Sequence, residues 1–388
     1  MSSNDPQPPR LSDAVRATTT RRTFLARASA LGVGLPGLSV ALAACTRTEP
    51  AKEATASLSA DTGKSAAVPA GVPQHPRIHN PDSKLDTSLK HGSHPLSNTP
   101  GSTTGAADVP FHRYDPSLPP LQPGRTRKIH MTVREVPVRI LPDTVVAAWT
   151  FEGDVPGPIV HIRQGDTVEF TLTNKGTLPH SMDFHAAQIN PKIAFRSVPP
   201  GESVSYTFKP RYPGAFLYHC GTSPVLMHLG SGMFGAIIVD PITPLPRARE
   251  FVLVQSEFYL SEPQHGVAAF DYSKMLSTVP DLVAFNGRPS QYSDAPIHVK
   301  RGERVRFYVV VAGPTLACGF HIVGEQFDTV YLGAPPESGI HGVQTFSVPA
   351  GGGMIFEFMA DIAGEFVFVN HSFGHGQKGA MGTLVVDA

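Results

Sequence analysis

Two stretches of this chain are written twice, and the repetition limits the possible folds more than any other feature. Residues 158–173 (PIVHIRQGDTVEFTLT) resemble residues 296–311 (PIHVKRGERVRFYVVV), each an alternating run, a charged glycine turn and a second run. Residues 200–220 (PGESVSYTFKPRYPGAFLYHC) match residues 349–370 (PAGGGMIFEFMADIAGEFVFVN) in the same order. Alternation with period two sends successive side chains to opposite faces of a strand, and glycine and proline punctuate the runs. The pattern predicts an all-β body of two tandem Greek-key β-sandwich domains, over residues 125–242 and 243–388.

Residues 1–45 read as an export signal. TRRTFL at 20–25 resembles a twin-arginine motif, and the apolar run after it is too short for a comfortable membrane span. That run ends in LAAC at 42–45, which resembles a lipobox. Twin-arginine export, acylation of Cys45 and a lipoprotein held at the cell surface or in the periplasm are the expectations. Residues 46–124 are dominated by alanine, serine, threonine, proline and glycine without a sustained period. Such composition buries too little apolar surface to offset ordering, and it predicts a disordered linker whose histidines (His75, His79, His91, His94) are simply solvated. With 32 basic and 32 acidic residues the chain offers no basic surface for nucleic acid.

Chemistry concentrates in residues 216–235, FLYHCGTSPVLMHLGSGMFG, which hold His219, Cys220, His228 and Met233. A thiolate, an imidazole and a thioether on one loop are the ligand types of a blue-copper site, provided a second imidazole completes the set. Residues 179–186, PHSMDFHA, offer His180 and His185. Residues five apart on a strand face opposite ways, as do His219 and Cys220. The reading puts His180 and Cys220 inside with His228 and Met233, and His185 and His219 outside, giving two metal sites joined through one peptide bond. Cys318, the remaining cysteine of three, reads as a small buried residue, and no intrachain disulfide is expected.

These motifs, with VPGP at 155–158, FNG at 285–287, FHIV at 320–323 and VNH at 369–371, resemble the copper-containing nitrite reductases, two-domain cupredoxins of the multicopper oxidase superfamily. The resemblance implies one type 1 copper on His180, Cys220, His228 and Met233, and one type 2 copper on His185, His219 and His371. It implies an electron crossing from type 1 to type 2 copper through Cys220 and His219, where nitrite becomes nitric oxide and water, with Asp183 and His321 handling protons. It also implies a homotrimer in which His371 comes from the neighbouring subunit, and a small redox protein or other electron donor. His375 is a rival to His371, which the VNH context favours. Asn370 falls where the first repeat has Cys220, so no second blue-copper site is expected.

Some positions depart from that family. The loop from Cys220 to His228 is one residue shorter, Gln326 replaces a histidine, and Gln344, Thr345 and Phe346 stand where E-T-W is usual. Thr345 is the expected orienting partner of His321. Two other functions fit parts of the sequence. A laccase-like two-domain oxidase would need several His-x-His pairs, which the body lacks. A copper electron carrier with an inactive type 2 site would have shed some of His185, His219, His371, Asp183 and His321, and all five are present.

Overall fold

The computed structural model describes residues 106–388. The signal reading, the acylation at Cys45 and the four histidines of the polar segment lie outside the described residues. Among those described, no helix is long and apolar enough to cross a membrane.

Eight strands build the first half: β1 (Thr126–Leu141), β2 (Thr144–Phe151), β3 (Val160–Arg163), β4 (Thr167–Asn174), β5 (Asp183–Phe184), β6 (Ser203–Phe208), β7 (Gly214–His219) and β8 (Phe234–Asp240). The next six are β9 (Arg249–Phe258), β10 (Val267–Ala268), β11 (Leu282–Phe285), β12 (Ala295–Lys300), β13 (Arg304–Gly313) and β14 (Cys318–Ile322). The last six are β15 (Phe327–Tyr331), β16 (Gly339–Val343), β17 (Thr345–Val348), β18 (Gly353–Met359), β19 (Gly364–Asn370) and β20 (Met381–Asp387). The first domain pairs a sheet of order β10-β2-β1-β4-β6 with one of order β3-β8-β7-β5. The second pairs β11-β9-β13-β18-β15-β16 with β12-β20-β19-β14-β17. This is a two-domain cupredoxin architecture, and β10 crosses from the second half of the chain into a sheet of the first.

The written repeat is a repeat of hydrogen bonding. β1 runs parallel to β4 as β9 does to β13, and β3 parallel to β8 as β12 does to β20. The antiparallel pairs β4–β6 and β7–β8 recur as β13–β18 and β19–β20. The charged turns inside the first matched stretch place Gly165 and Gly302 at φ +75 and +82, left-handed values that glycine adopts without strain.

β13 departs from simple alternation because both of its faces are covered. Phe307, Val309 and Val311 enter the second core, while Tyr308, Val310 and Ala312 join the first. One strand thereby seals the two sandwiches together, which explains why its sequence reads as a nearly continuous apolar run.

The expected linker over 46–124 is corrected at its end, since residues 106–124 form a strap bonded to both halves. The Tyr114 hydroxyl donates to the Gly157 carbonyl (2.9 Å), and its amide donates to Gln291 Oε1 (2.8 Å). The Val252 amide donates to the Pro116 carbonyl (2.7 Å), and the Leu118 amide to that of Glu250 (3.1 Å). Polar composition argues against a core of its own, but it leaves backbone groups free to complete neighbouring strands.

Candidate metal centres

Cys220 follows the last residue of β7, and its amide donates to the Met233 carbonyl at 3.0 Å. The loop so closed carries a one-turn helix, Val225–Gly230, which turns His228 inward. His180 arrives from the other side on a bridge to Val198. The expected continuous strand from His180 to His185 is corrected: β5 is only Asp183–Phe184, His180 sits in an isolated bridge to Val198, and Ser181 and Met182 between them pair with no strand. The opposed facing nevertheless holds, with His180 buried and His185 exposed.

His180 Nδ1 and His228 Nδ1 lie 3.1 Å apart, and Cys220 Sγ lies 3.4 Å from His228 Nδ1. Met233 is fully buried, and its amide donates to the His228 carbonyl at 3.3 Å. The Ser181 amide donates to Cys220 Sγ at 3.3 Å. Burial alone would push the Cys220 thiol up; the His180 and His228 imidazoles overrule it and hold the thiol well below its ordinary range. A buried thiolate with two converging ring nitrogens is a soft donor set that fits copper.

Two residues of this centre escaped the sequence reading, and both lie on the first hairpin, directly opposite each other in register. Glu135 on β1 places Oε1 3.2 Å from His180 Nε2. Burial would raise its carboxyl, but hydrogen bonds from His180 and Thr177 overcome that and hold it at about 2. Trp149 on β2 sets its ring edge-on to His228 (centroids 4.8 Å) and His180 (5.6 Å). Its being the sole tryptophan was a usable signal.

The second group lies on the other face of β7. Asp183 pairs in register with His219, and Asp183 Oδ2 lies 3.9 Å from His219 Nε2. His185 Nε2 faces His219 Nε2 at 3.0 Å. Each ring is fixed from behind, His185 Nδ1 by the Gly351 carbonyl (3.0 Å) and His219 Nδ1 by the Cys220 carbonyl (2.9 Å). With both Nδ1 atoms donating, two Nε2 lone pairs converge on one point, which is how metal-ligating histidines are presented. Burial, then the neighbouring His219, lowers the His185 pKa and favours its neutral form.

His371 joins neither group among the described residues. It stands exposed after β19, its ring 5.3 Å from that of His321. His375 is turned back, its Nδ1 3.5 Å from Asn370 Nδ2. Gln344 corrects the expected role of Thr345, because His321 Nδ1 meets the Gln344 carbonyl at 2.6 Å. The Asn370 carbonyl oxygen accepts from the Gly319 and Ser372 amides, and its amide nitrogen donates to Gln255. The position that holds sulfur in the first domain is thus a satisfied structural amide in the second.

The multicopper oxidase family profiles match residues 132–243 and 261–388. The copper-containing nitrite reductase of Neisseria meningitidis serogroup A is 38% identical over 296 residues, covering 74% of this chain and 74% of its own. Among solved structures, the copper nitrite reductase of Nitrosomonas europaea superposes with a TM-score of 0.61 at 36% identity, covering 67% of this chain and 94% of its own. The copper-containing nitrite reductase of Thermus scotoductus gives a TM-score of 0.61 at 28% identity, covering 68% and 62%. Two donor sets on opposite faces of one strand, on a duplicated sandwich with these likenesses, lead to one conclusion: the chain belongs to the copper-containing nitrite reductases.

Proposed function

We propose that the protein reduces nitrite to nitric oxide, consuming one electron and two protons while one N–O bond breaks and its oxygen leaves as water. The observation that carries this reading is the adjacency of His219 and Cys220, which puts a buried soft donor set and a partly exposed imidazole pair on the two sides of one peptide bond. His180, Cys220, His228 and Met233 would hold a type 1 copper, and His185, His219 and His371 a type 2 copper. Copper supplies one-electron redox chemistry in the first set and a Lewis-acidic, substrate-accessible position in the second.

The chain's own residues supply the remainder. Asp183 presents a partly exposed carboxylate beside His219, placed to hold a proton toward a departing oxygen. The Gln344 carbonyl fixes Nδ1 of His321, leaving Nε2 free to carry the second proton. His371 and His321 sit together, apart from His185 and His219, so each catalytic site is completed between copies of the chain. A head-to-tail contact of that kind forms a ring where its rotation closes, and the family resemblance makes that ring a cyclic homotrimer. The electron donor is a small redox protein or a comparable carrier. The N-terminal motifs support export and anchoring through Cys45.

The test is anaerobic turnover of the copper-loaded protein with a reduced artificial donor and nitrite, nitric oxide being followed by electrode. Asp183→Asn is expected to lower the rate about 10²-fold or more with both coppers retained. No nitric oxide from protein shown to hold both coppers overturns the reading.

A further inference from the structure

Glu135 is not merely a neighbour of His180. Its side chain is 11% exposed and accepts from the Thr177 amide (2.9 Å), the Thr177 hydroxyl (2.5 Å) and the Leu178 amide (3.1 Å), besides facing His180 Nε2. The carboxylate therefore grips the turn that leads into His180 and the imidazole itself. Facing Nε2, it keeps that nitrogen protonated and leaves Nδ1 as the lone pair aimed at Cys220 and His228. Its charge lies one imidazole ring away from the buried donor set, in a setting where solvent screens poorly.

We infer that Glu135 is a positioning residue that fixes the His180 ring and, through its negative charge, lowers the reduction potential of the copper held by His180, Cys220, His228 and Met233. The inference rests on the proposed type 1 site. A fixed anion favours the more positively charged, oxidised metal over the reduced one, so it makes this centre the readier donor toward the imidazole pair across β7. Trp149, opposite Glu135 in register and edge-on to both imidazoles, closes the remaining side without adding charge.

Glu135→Gln separates the charge from the grip, because the amide oxygen still accepts from Thr177 and Leu178. In the copper-loaded full chain, spectroelectrochemical titration of the thiolate-to-copper band is expected to show a higher midpoint. A shift of about tenfold in the reduced-to-oxidised ratio at fixed poise corresponds to ~59 mV for one electron. An unchanged midpoint with the band intact overturns the charge effect.

The metal-free protein gives an independent readout of the positioning. Imidazole 15N spectra are expected to show a slowly exchanging proton on His180 Nε2 in the native chain and its loss in Glu135→Ala. The same signal in both overturns the positioning. Absence of the thiolate band in native, copper-loaded protein would instead sink the type 1 assignment, while the metal-free comparison still decides whether Glu135 holds the ring.

Discussion

His219 and Cys220 are neighbours in the chain and belong to different centres, so single replacements should separate the two. His219→Ala is expected to keep the thiolate-to-copper absorption and lose metal from the group around His185, with turnover falling at least ~10²-fold; copper analysis beside the visible spectrum checks both halves. His161 offers a test away from either centre. Its side chain is buried, with Nδ1 2.6 Å from the Pro119 carbonyl and Nε2 3.0 Å from Asp240. Burial would lower its pKa, but the Asp240 carboxylate and the Pro119 carbonyl outweigh it and raise the value above 6.5. A raised folded-state value means the stabilisation is fully present below about pH 6.5 and fades as pH climbs through the folded value. The melting difference between the native chain and His161→Gln should be larger at acid than at alkaline pH. The converging side chains were legible in sequence because spacing and parity speak for Cys220, His228, His180 and His185. Glu135 was not, since it lies 45 positions before His180 and only strand packing joins them.

The strands show what patterning can and cannot carry. Matched runs gave β3 with β4 and β12 with β13, and the pairing registers go further, aligning Asp183 opposite His219 with His321 opposite Val369. The two proposed proton-handling residues thus occupy corresponding places in the two copies, one acidic and one imidazole. The strap escaped because its order comes from bonds to β9 and to the turn after β2, not from its own composition. Beginning the chain at residue 125 instead of 106 should lower the unfolding midpoint by at least ~5 °C, read by calorimetry. In the second core Phe320 meets Phe285, Phe307, Phe327, Phe356 and Phe368. Phe320→Ala should therefore cost about 3–5 kcal/mol, seen as a lower denaturant midpoint at unchanged slope.

At the scale of the whole molecule, the separation of His371 from His185 and His219 gives a mixed-subunit test of the proposed shared site. Chains carrying His219→Ala and chains carrying His371→Ala should each be inactive alone. Refolded together in equal amounts, a trimer sharing sites between copies regains about one quarter of native activity, because that share of random contacts joins two intact halves. A site built within one chain regains none. β10 adds a different kind of constraint. Although it follows β9 in the chain, it extends the sheet of β2, so the second half is stitched into the first beyond the connector that joins them. A protease that cuts between residues 240 and 249 would leave a nicked but undivided particle. Nor could recombination exchange either half as an independent cassette, since each would carry an unfinished edge.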